Sequence, residues 1–203
     1  MSEIVKWSAT RTRQEISAKN ISCTEVARAH IDHAKATNPS VNALTIITED
    51  EALNTAKALD AAGDDPHQLL RGVPITTKIN IDHAGYPNSN GVPAFANNIA
   101  IGDAALVTNM RNDGAVMIGR SNTPEFSMRW STSNPLHGIT LNPWDNAITP
   151  GGSSGAAAAA AATYMGAIAH GNDLGGSLRY PAYCCGVASI KPSTGTVPSY
   201  NPT

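Results

Sequence analysis

Two segments rich in glycine and serine carry residue types that nucleophilic catalysis requires. Residues 150–155 read PGGSSG and run into seven alanines, and residues 171–179 read GNDLGGSLR. Alanine has the highest helix propensity and serine is a favoured N-cap, so the first segment should lead into a helix N-terminus. Glycines before Ser177 allow backbone N–H groups to turn toward one point, as an oxyanion hole requires. Ordinary turns have the same composition.

Lys78 is the candidate general base. It ends a β-prone apolar run, residues 73–78 (VPITTK), in a chain of which only 15% of the residues are charged. Burial disfavours the charged form of an amine, so a lysine in a low-dielectric site can lose its proton and act as a base. The six histidines fall in contexts that give none of them a comparable setting.

Two other interpretations of the first serine segment are open. Residues 151–155 match G-x-S-x-G, the nucleophile elbow of α/β-hydrolases, which would make Ser153 the nucleophile. An elbow needs a strand directly before it, whereas residues 142–150 form a poor strand pattern, and His170 is the one later histidine. The start of the alanine helix could instead bind an anion or a nucleotide, although the G-x-x-x-x-G-K-[ST] motif is lacking.

Composition limits the partners and cofactors. The 14 Lys and Arg residues against 16 Asp and Glu give a net charge of −2, which argues against an electrostatic nucleic-acid binder. The N-terminus shows no secretory signal and no apolar run could span a bilayer, so we expect a cytoplasmic location and no membrane partner. The 3 cysteines lack the C-x-x-C spacing, so neither a disulfide framework nor a metal site is expected, and no cofactor is implied.

Alternating elements predict an α/β layered fold that positions these residues. The first sixty-odd residues predict helices, with S/T-x-x-E capping boxes at residues 22–25 and 48–51. The first of these helices should end at Asn38-Pro39 and the second at Gly63. Short strands are predicted at residues 73–78, 115–119 and 166–170.

In this order and spacing, the motifs resemble the amidase signature family of serine hydrolases over nearly the whole chain. The lysine segment is residues 72–80 (GVPITTKIN), and residues 119–126 (GRSNTPEF) match a further element with Arg120 in place of the usual lysine. An NPWD element at 142–145, the two serine loops and residues 181–192 complete the match. Lys78 precedes Ser153 by 75 residues, and Ser153 precedes Ser177 by 24.

The resemblance implies a fold and a set of roles. The fold would be the amidase signature fold, an α/β arrangement with a mixed β-sheet core covered by helices. Ser177 matches the nucleophile that forms an acyl-enzyme, Ser153 the bridging serine that follows a cis peptide bond, and Lys78 the base. The backbone N–H groups that match the oxyanion hole belong to Leu174, Gly175, Gly176 and Ser177. Supporting hydrogen bonds are expected from Ser154, Asp173 and Arg179, with Arg179 paired to Asp173.

The implied activity is hydrolysis of the carbon–nitrogen bond of a linear, non-peptide amide, releasing ammonia or an amine. The expected partner is a small-molecule amide substrate, and a homodimer is a conceivable assembly. Two alternatives stay open: a glutamine amidotransferase subunit that makes ammonia for tRNA amidation, and a truncated remnant without catalysis.

Length is the main departure from the family. Family members normally continue far beyond the Lys191-Pro192 element, whereas this sequence stops at Thr203. We therefore expect a single but incomplete amidase signature domain over residues 1–203, truncated on its C-terminal side. It would comprise an N-terminal helical segment, residues 1–63, and a catalytic signature core, residues 72–203.

Overall fold

A computed structural model describes residues 2–202 as an α/β protein with one four-stranded mixed sheet and a separate two-stranded hairpin. The six helices are α1 (Ala9–Ser17), α2 (Cys23–Val41), α3 (Glu49–Ala62), α4 (Ala105–Asn112), α5 (Gly155–Ala162) and α6 (Arg179–Cys185). The strands are β1 (Leu44–Ile47), β2 (Pro74–Lys78), β3 (Val116–Ser121), β4 (Ser133–Asn134), β5 (Gly138–Ile139) and β6 (Ile168–Ala169). Three short 3-10 helices complete the described elements, at Glu3–Lys6, Pro93–Phe95 and Glu125–Ser127.

The four-stranded sheet has the order β1-β3-β2-β6. Strand β2 is parallel to both of its neighbours, with Lys78 opposite Ser121 and Ile75 opposite Ile168, while β1 is antiparallel to β3. Every residue of β2 and β3 is buried, as expected for parallel strands covered on both faces. The carboxyl ends of β2, β3 and β6 therefore meet at one edge of the sheet, where ligands of open α/β sheets commonly bind.

The N-terminal part is mostly helical, and it also contains a strand that the sequence did not predict. Strand β1 pairs with β3, so residues 1–63 and the later core share one sheet. The division of the chain at these boundaries stays a prediction. Helix α2 continues through Pro39 to Val41, two residues beyond the predicted end, because a proline in the last turn removes only one helical hydrogen bond.

Of the two predicted capping boxes, one is confirmed and one is wrong. Ser22 accepts from the Glu25 N–H at 3.1 Å, and Glu25 accepts from the Ser22 N–H at 2.9 Å. The Thr48 hydroxyl instead donates to the Met117 carbonyl at 2.8 Å, and the Glu51 carboxylate binds His83. Both side chains of the second box are thus engaged by tertiary contacts, which override the local motif.

The alanine run forms α5 as predicted, and its small side chains allow close packing. Ala156, Ala159 and Ala160 are completely buried in one core cluster with residues of α2, β1 and α6. The other two clusters pack α2 and α3, and then α4, against β2 and β3. Between residues 2 and 202, no helix is both long and apolar enough to cross a membrane.

Candidate active site

Lys78 lies at the carboxyl end of β2 with its side chain completely buried. Its amine contacts three oxygen atoms. They are Ser153 Oγ at 2.7 Å, Asn172 Oδ1 at 2.9 Å and Ser154 Oγ at 3.1 Å. Lys78, Ser153, Ser154 and Asn172 are called the lysine cluster below. The cluster joins the end of β2 to the loop before α5 and to the segment after β6.

The electrostatics of the cluster favour a neutral amine near neutral pH. Burial lowers the pKa of Lys78 to about 7, because removing the ammonium from water is costly, while the negative charge of Asp173 partly opposes this shift. His170, which follows β6, accepts the Lys78 backbone N–H at 3.4 Å through Nδ1. Burial, together with the Lys78 and Arg120 charges, lowers the pKa of His170 to about 4, so its ring is neutral.

The loop before α5 brings Ser153 and Ser154 to the amine. The Gly152–Ser153 peptide bond is cis, as the family resemblance implies. A side chain at position 152 would come within 2.5 Å of the Arg129 carbonyl oxygen, so only glycine fits here. The Ser154 side chain does not cap α5, contrary to the expectation for a serine at this position. Its hydroxyl is used by Lys78 and Asn172 instead.

Residues 173–179, called the nucleophile loop below after the predicted role of Ser177, are organised around one carboxylate. The Asp173 side chain is completely buried and accepts from the Gly176 N–H at 2.8 Å and the Leu178 N–H at 3.0 Å. Arg179 donates to the same carboxylate through Nε at 3.0 Å and Nη2 at 2.9 Å. The Arg179 hydrogen bond is the largest cause of a strongly lowered Asp173 pKa, so the carboxylate is ionised at neutral pH.

Ser177 lies beside the lysine cluster, because its carbonyl accepts the Ser154 N–H at 3.1 Å. Within residues 2–202 its hydroxyl makes no hydrogen bond. Three of the four predicted oxyanion donors, the N–H groups of Leu174, Gly175 and Ser177, are likewise free of partners in the described chain. The fourth, the Gly176 N–H, is occupied by Asp173. Gly176 is therefore the one predicted oxyanion-hole residue whose N–H group is not free in this conformation of the described chain.

Sequence reasoning missed Asn172, which lies in the second serine segment directly before Asp173 and contacts the amine. Its carboxamide nitrogen donates to Asn80 Oδ1 at 3.0 Å, and Asn80 in turn donates to Ser127 Oγ at 3.0 Å. Both asparagines lie inside segments that carry the family motifs, residues 72–80 and 171–179. Their place in these segments was the one signal that could have indicated a role in the site. Asn172 is 94 residues from Lys78 and 92 from Asn80, a separation over which no local pattern predicts contact.

The geometry disfavours the two rival interpretations of residues 150–155. No strand lies between β5 and α5 in the described structure, so an α/β-hydrolase elbow has no strand to leave. The first two N–H groups at the start of α5 are not available to an anion, since the Ser154 N–H donates to the Ser177 carbonyl and the Gly155 N–H donates to Thr132 Oγ1 at 3.1 Å.

An open groove of about 1260 Å³ runs along the lysine cluster and the nucleophile loop. It is mostly apolar, and its walls come from α4, α5, β6 and the C-terminal segment. Its lining includes Ser154 and Asn172 of the cluster, Asp173, Leu174 and Leu178 of the nucleophile loop, and Asn80 and Ala157. A mostly apolar groove with a few polar groups at one place is the usual form of a small-molecule site.

The site contains a buried lysine that is hydrogen-bonded to a serine, and this serine follows a cis peptide bond. Because the lysine ends a strand of a mixed sheet, the chain is an α/β protein with a candidate Ser–Lys site. The sequence model of the Amidase family matches residues 25–202, and the chain belongs to this family. The expected amidase signature fold is thereby confirmed: a bacterial aryl acylamidase of the amidase signature enzymes superposes with a TM-score of 0.83 at 31% identity, over 89% of this chain and 38% of that one.

Sequence relatives agree with this assignment. The chain is 52% identical over 198 residues to an indoleacetamide hydrolase of Bradyrhizobium diazoefficiens, a match to 97% of this chain and 38% of the relative. It is 42% identical over 200 residues to a glutamyl-tRNA(Gln) amidotransferase subunit of Solidesulfovibrio magneticus, covering 98% of this chain and 41% of the relative. The chain thus spans about two fifths of the length of these relatives.

Proposed function

We propose that the protein hydrolyses a small carboxamide through Lys78, Ser153 and Ser177. The observation that carries this proposal is the completely buried amine 2.7 Å from Ser153 Oγ. An amine with a pKa of about 7 is largely neutral at slightly alkaline pH and is then able to accept a proton. The three oxygen atoms around the amine would be bound equally well by an ammonium, whereas general base catalysis requires the neutral amine.

The proposed reaction has two halves. Ser177 Oγ attacks the amide carbon, and its proton passes through Ser153 to the Lys78 amine. Free N–H groups of the nucleophile loop would stabilise the resulting oxyanion. The carbon–nitrogen bond then breaks as Lys78 returns the proton through Ser153 to the leaving nitrogen, which gives an ester on Ser177. Water attacks that ester by the same proton route and releases the carboxylic acid.

Ser177 and Ser153 are not hydrogen-bonded to each other in the described chain, so the proposal requires this contact to form when substrate binds. Catalytic hydrogen bonds that are absent without substrate commonly form in the substrate complex. Ser177 is half-buried and its hydroxyl has no other partner in the described chain, so the hydroxyl is free to turn toward a substrate. Leu174, three residues before it, lines the groove and is 95% exposed.

The proposal is tested by covalent labelling with a fluorophosphonate, which reacts with activated serines. The wild-type chain should be labelled at one residue, identified as Ser177 by mass spectrometry, and Ser177→Ala should abolish the label. Ser40→Ala, which removes an exposed hydroxyl from α2, is the matched control and should label normally. Labelling that persists in Ser177→Ala would refute the assigned nucleophile. A wild-type chain that takes no label would support the non-catalytic alternative.

The relatives suggest two substrate classes. The 52% identity to an indoleacetamide hydrolase favours an arylacetamide, and the apolar groove is compatible with an aromatic body. The 42% identity to an amidotransferase subunit favours glutamine as the second candidate. Ammonia release measured with indole-3-acetamide and with glutamine at equal concentrations separates the two. A homodimer and a cytoplasmic location remain expectations.

A further inference from the structure

The three contacts of the Lys78 amine are chemically unequal. An ammonium has three hydrogens and can donate one to each of Ser153, Ser154 and Asn172. A neutral amine has two hydrogens and one lone pair, so all three contacts persist as hydrogen bonds only if one of the partners donates to the lone pair. The lone pair of neutral Lys78 points toward the partner that is able to donate.

Ser154 cannot donate to the amine without breaking another bond. Its hydroxyl donates to the Asn172 carbonyl at 3.2 Å and accepts the Asn172 N–H at 3.3 Å. The single proton of this hydroxyl is therefore committed, and toward Lys78 the oxygen can only accept. This pair of bonds needs a glycine at position 171, where a Cβ would lie 2.8 Å from Ser154 Oγ.

Asn172 cannot donate either, because its carboxamide has a fixed orientation. Its nitrogen donates to Asn80 Oδ1 at 3.0 Å, so its oxygen faces Lys78. Asn80 is oriented in the same way, since its own nitrogen donates to Ser127 Oγ at 3.0 Å. These orientations require Ser127 Oγ to accept from Asn80, which leaves the Ser127 proton for Thr123.

The chain of hydrogen bonds returns to its starting residue. Ser127 Oγ lies 2.9 Å from Thr123 Oγ1, and Thr123 donates to the Ser153 carbonyl at 3.4 Å. A ring of side chains thus runs from the Ser153 hydroxyl through Lys78 and both asparagines to the Ser153 carbonyl. Thr123 follows β3 and Asn172 follows β6, so the ring connects the carboxyl ends of the parallel strands.

We propose that Asn172, oriented by Asn80, is a positioning residue that leaves Ser153 as the one partner toward which the lone pair of neutral Lys78 can point. Ser153 has a hydroxyl whose proton no other described group takes. This inference rests on the proposed function, in which Lys78 receives its proton through Ser153, and it assigns the direction of that transfer to a residue outside the triad.

The charges around the amine are few, which makes its titration a clean readout. Asp173, in the nucleophile loop, favours the ammonium. Neutral His170 lies after β6, and Arg120 is completely buried on β3, where burial lowers the guanidinium pKa to about 10. The chain contains six lysines, so selective ¹³C labelling at the lysine Cε would resolve the one that titrates near pH 7.

The experiment compares Asn172→Asp and Asn80→Ala with wild type by ¹³C titration of Lys78 and by the pH dependence of fluorophosphonate labelling. Asn172→Asp places a carboxylate against the amine, so the Lys78 titration and the labelling profile should both move up by about 1 pH unit or more. Asn80→Ala frees the Asn172 amide to rotate, so labelling on the alkaline plateau should fall about tenfold. Asn54→Asp, an exposed site on α3, is the matched charge control and should change neither.

An Asn172→Asp chain that folds and titrates as wild type, or an Asn80→Ala chain with the wild-type plateau, would overturn the inference. A purely structural role for the asparagines would reduce the folded fraction of Asn80→Ala without lowering the plateau labelling of its folded molecules. If Ser177 is never labelled but Lys78 shifts as expected, the proposed function fails while the assigned orientation of the amine stands. If labelling depends on Ser177 but on neither asparagine, the proposed function stands and the inference about Asn172 fails.

Discussion

The lysine cluster and the nucleophile loop are neighbours in the site, but they are held in different ways. The cluster is buried and its hydrogen bonds join residues far apart in sequence, such as Lys78 and Ser153, which are 75 residues apart. In the nucleophile loop, the bonds of Asp173 reach no further than Arg179, six residues away. Leu174 in this loop is 95% exposed. The base is therefore built by the tertiary fold, whereas the loop is held mainly by local contacts, with the Ser154 N–H bond to the Ser177 carbonyl joining it to the cluster.

This difference predicts different mobility. Buried long-range hydrogen bonds open only when the sheet edge opens, whereas an exposed loop with local bonds can open by itself. A loop that moves independently can bring Ser177 to Ser153 when a substrate occupies the groove. Substitutions in the cluster should thus change the chemistry of the base, and substitutions in the loop should change how often the nucleophile is in place.

The largest effect is expected for Lys78→Met, which keeps an unbranched chain but removes the base. Labelling of Ser177 should fall by about 10³-fold or more, within the range for loss of a general base. Lys57→Met, on the exposed face of α3, is the matched control. The rates are measured by fluorophosphonate labelling at pH 8. A loss below about tenfold would mean that another group activates Ser177.

A smaller effect is expected for Asp173→Asn, which removes the charge and replaces one carboxylate oxygen by an NH₂ group. The Gly176 and Leu178 N–H groups, which donate to different oxygens, cannot then both keep their acceptor. We expect labelling to fall about 10²-fold, comparable to the loss of one oxyanion-hole donor. Amide hydrogen exchange should accelerate in residues 174–179 and remain unchanged in β2. Asp32→Asn, exposed on α2, is the control.

The same contrast explains which parts of the site the sequence could predict. Ser153, Ser177 and Lys78 stand in compact motifs, as do the strands and helix that carry them. The contacts among Lys78, Asn172 and Asn80 depend on which strands are neighbours in the sheet, and no local pattern encodes that order. The failed capping box at Thr48 has the same cause, because the competing acceptor, Met117, is 69 residues away. Local rules predicted local structure, and failed where a tertiary partner was stronger.

The pH dependence of stability tests the buried amine without requiring activity. The folded-state pKa of about 7 lies below the ordinary lysine value of 10.5, so between these values the unfolded chain binds more protons. Unfolding free energy should therefore rise with pH in this window, by about 1.4 kcal/mol per pH unit from this group. Urea denaturation of wild type and Lys78→Met from pH 7 to 10 gives the difference. An identical pH slope in both proteins would show that Lys78 is not buried as described.

The smallest effect is expected for Arg179→Gln, which removes one member of the ion pair in the nucleophile loop. The Arg179 side chain is 60% exposed, and exposed ion pairs contribute little because water and salt screen them. The Asp173 carboxylate also keeps its backbone donors in this variant, so the loop should stay folded and labelling should fall less than about threefold. If Arg179→Gln were as damaging as Asp173→Asn, the ion pair rather than the backbone bonds would hold the loop. The two variants measured together by labelling and hydrogen exchange therefore decide which contacts position Ser177.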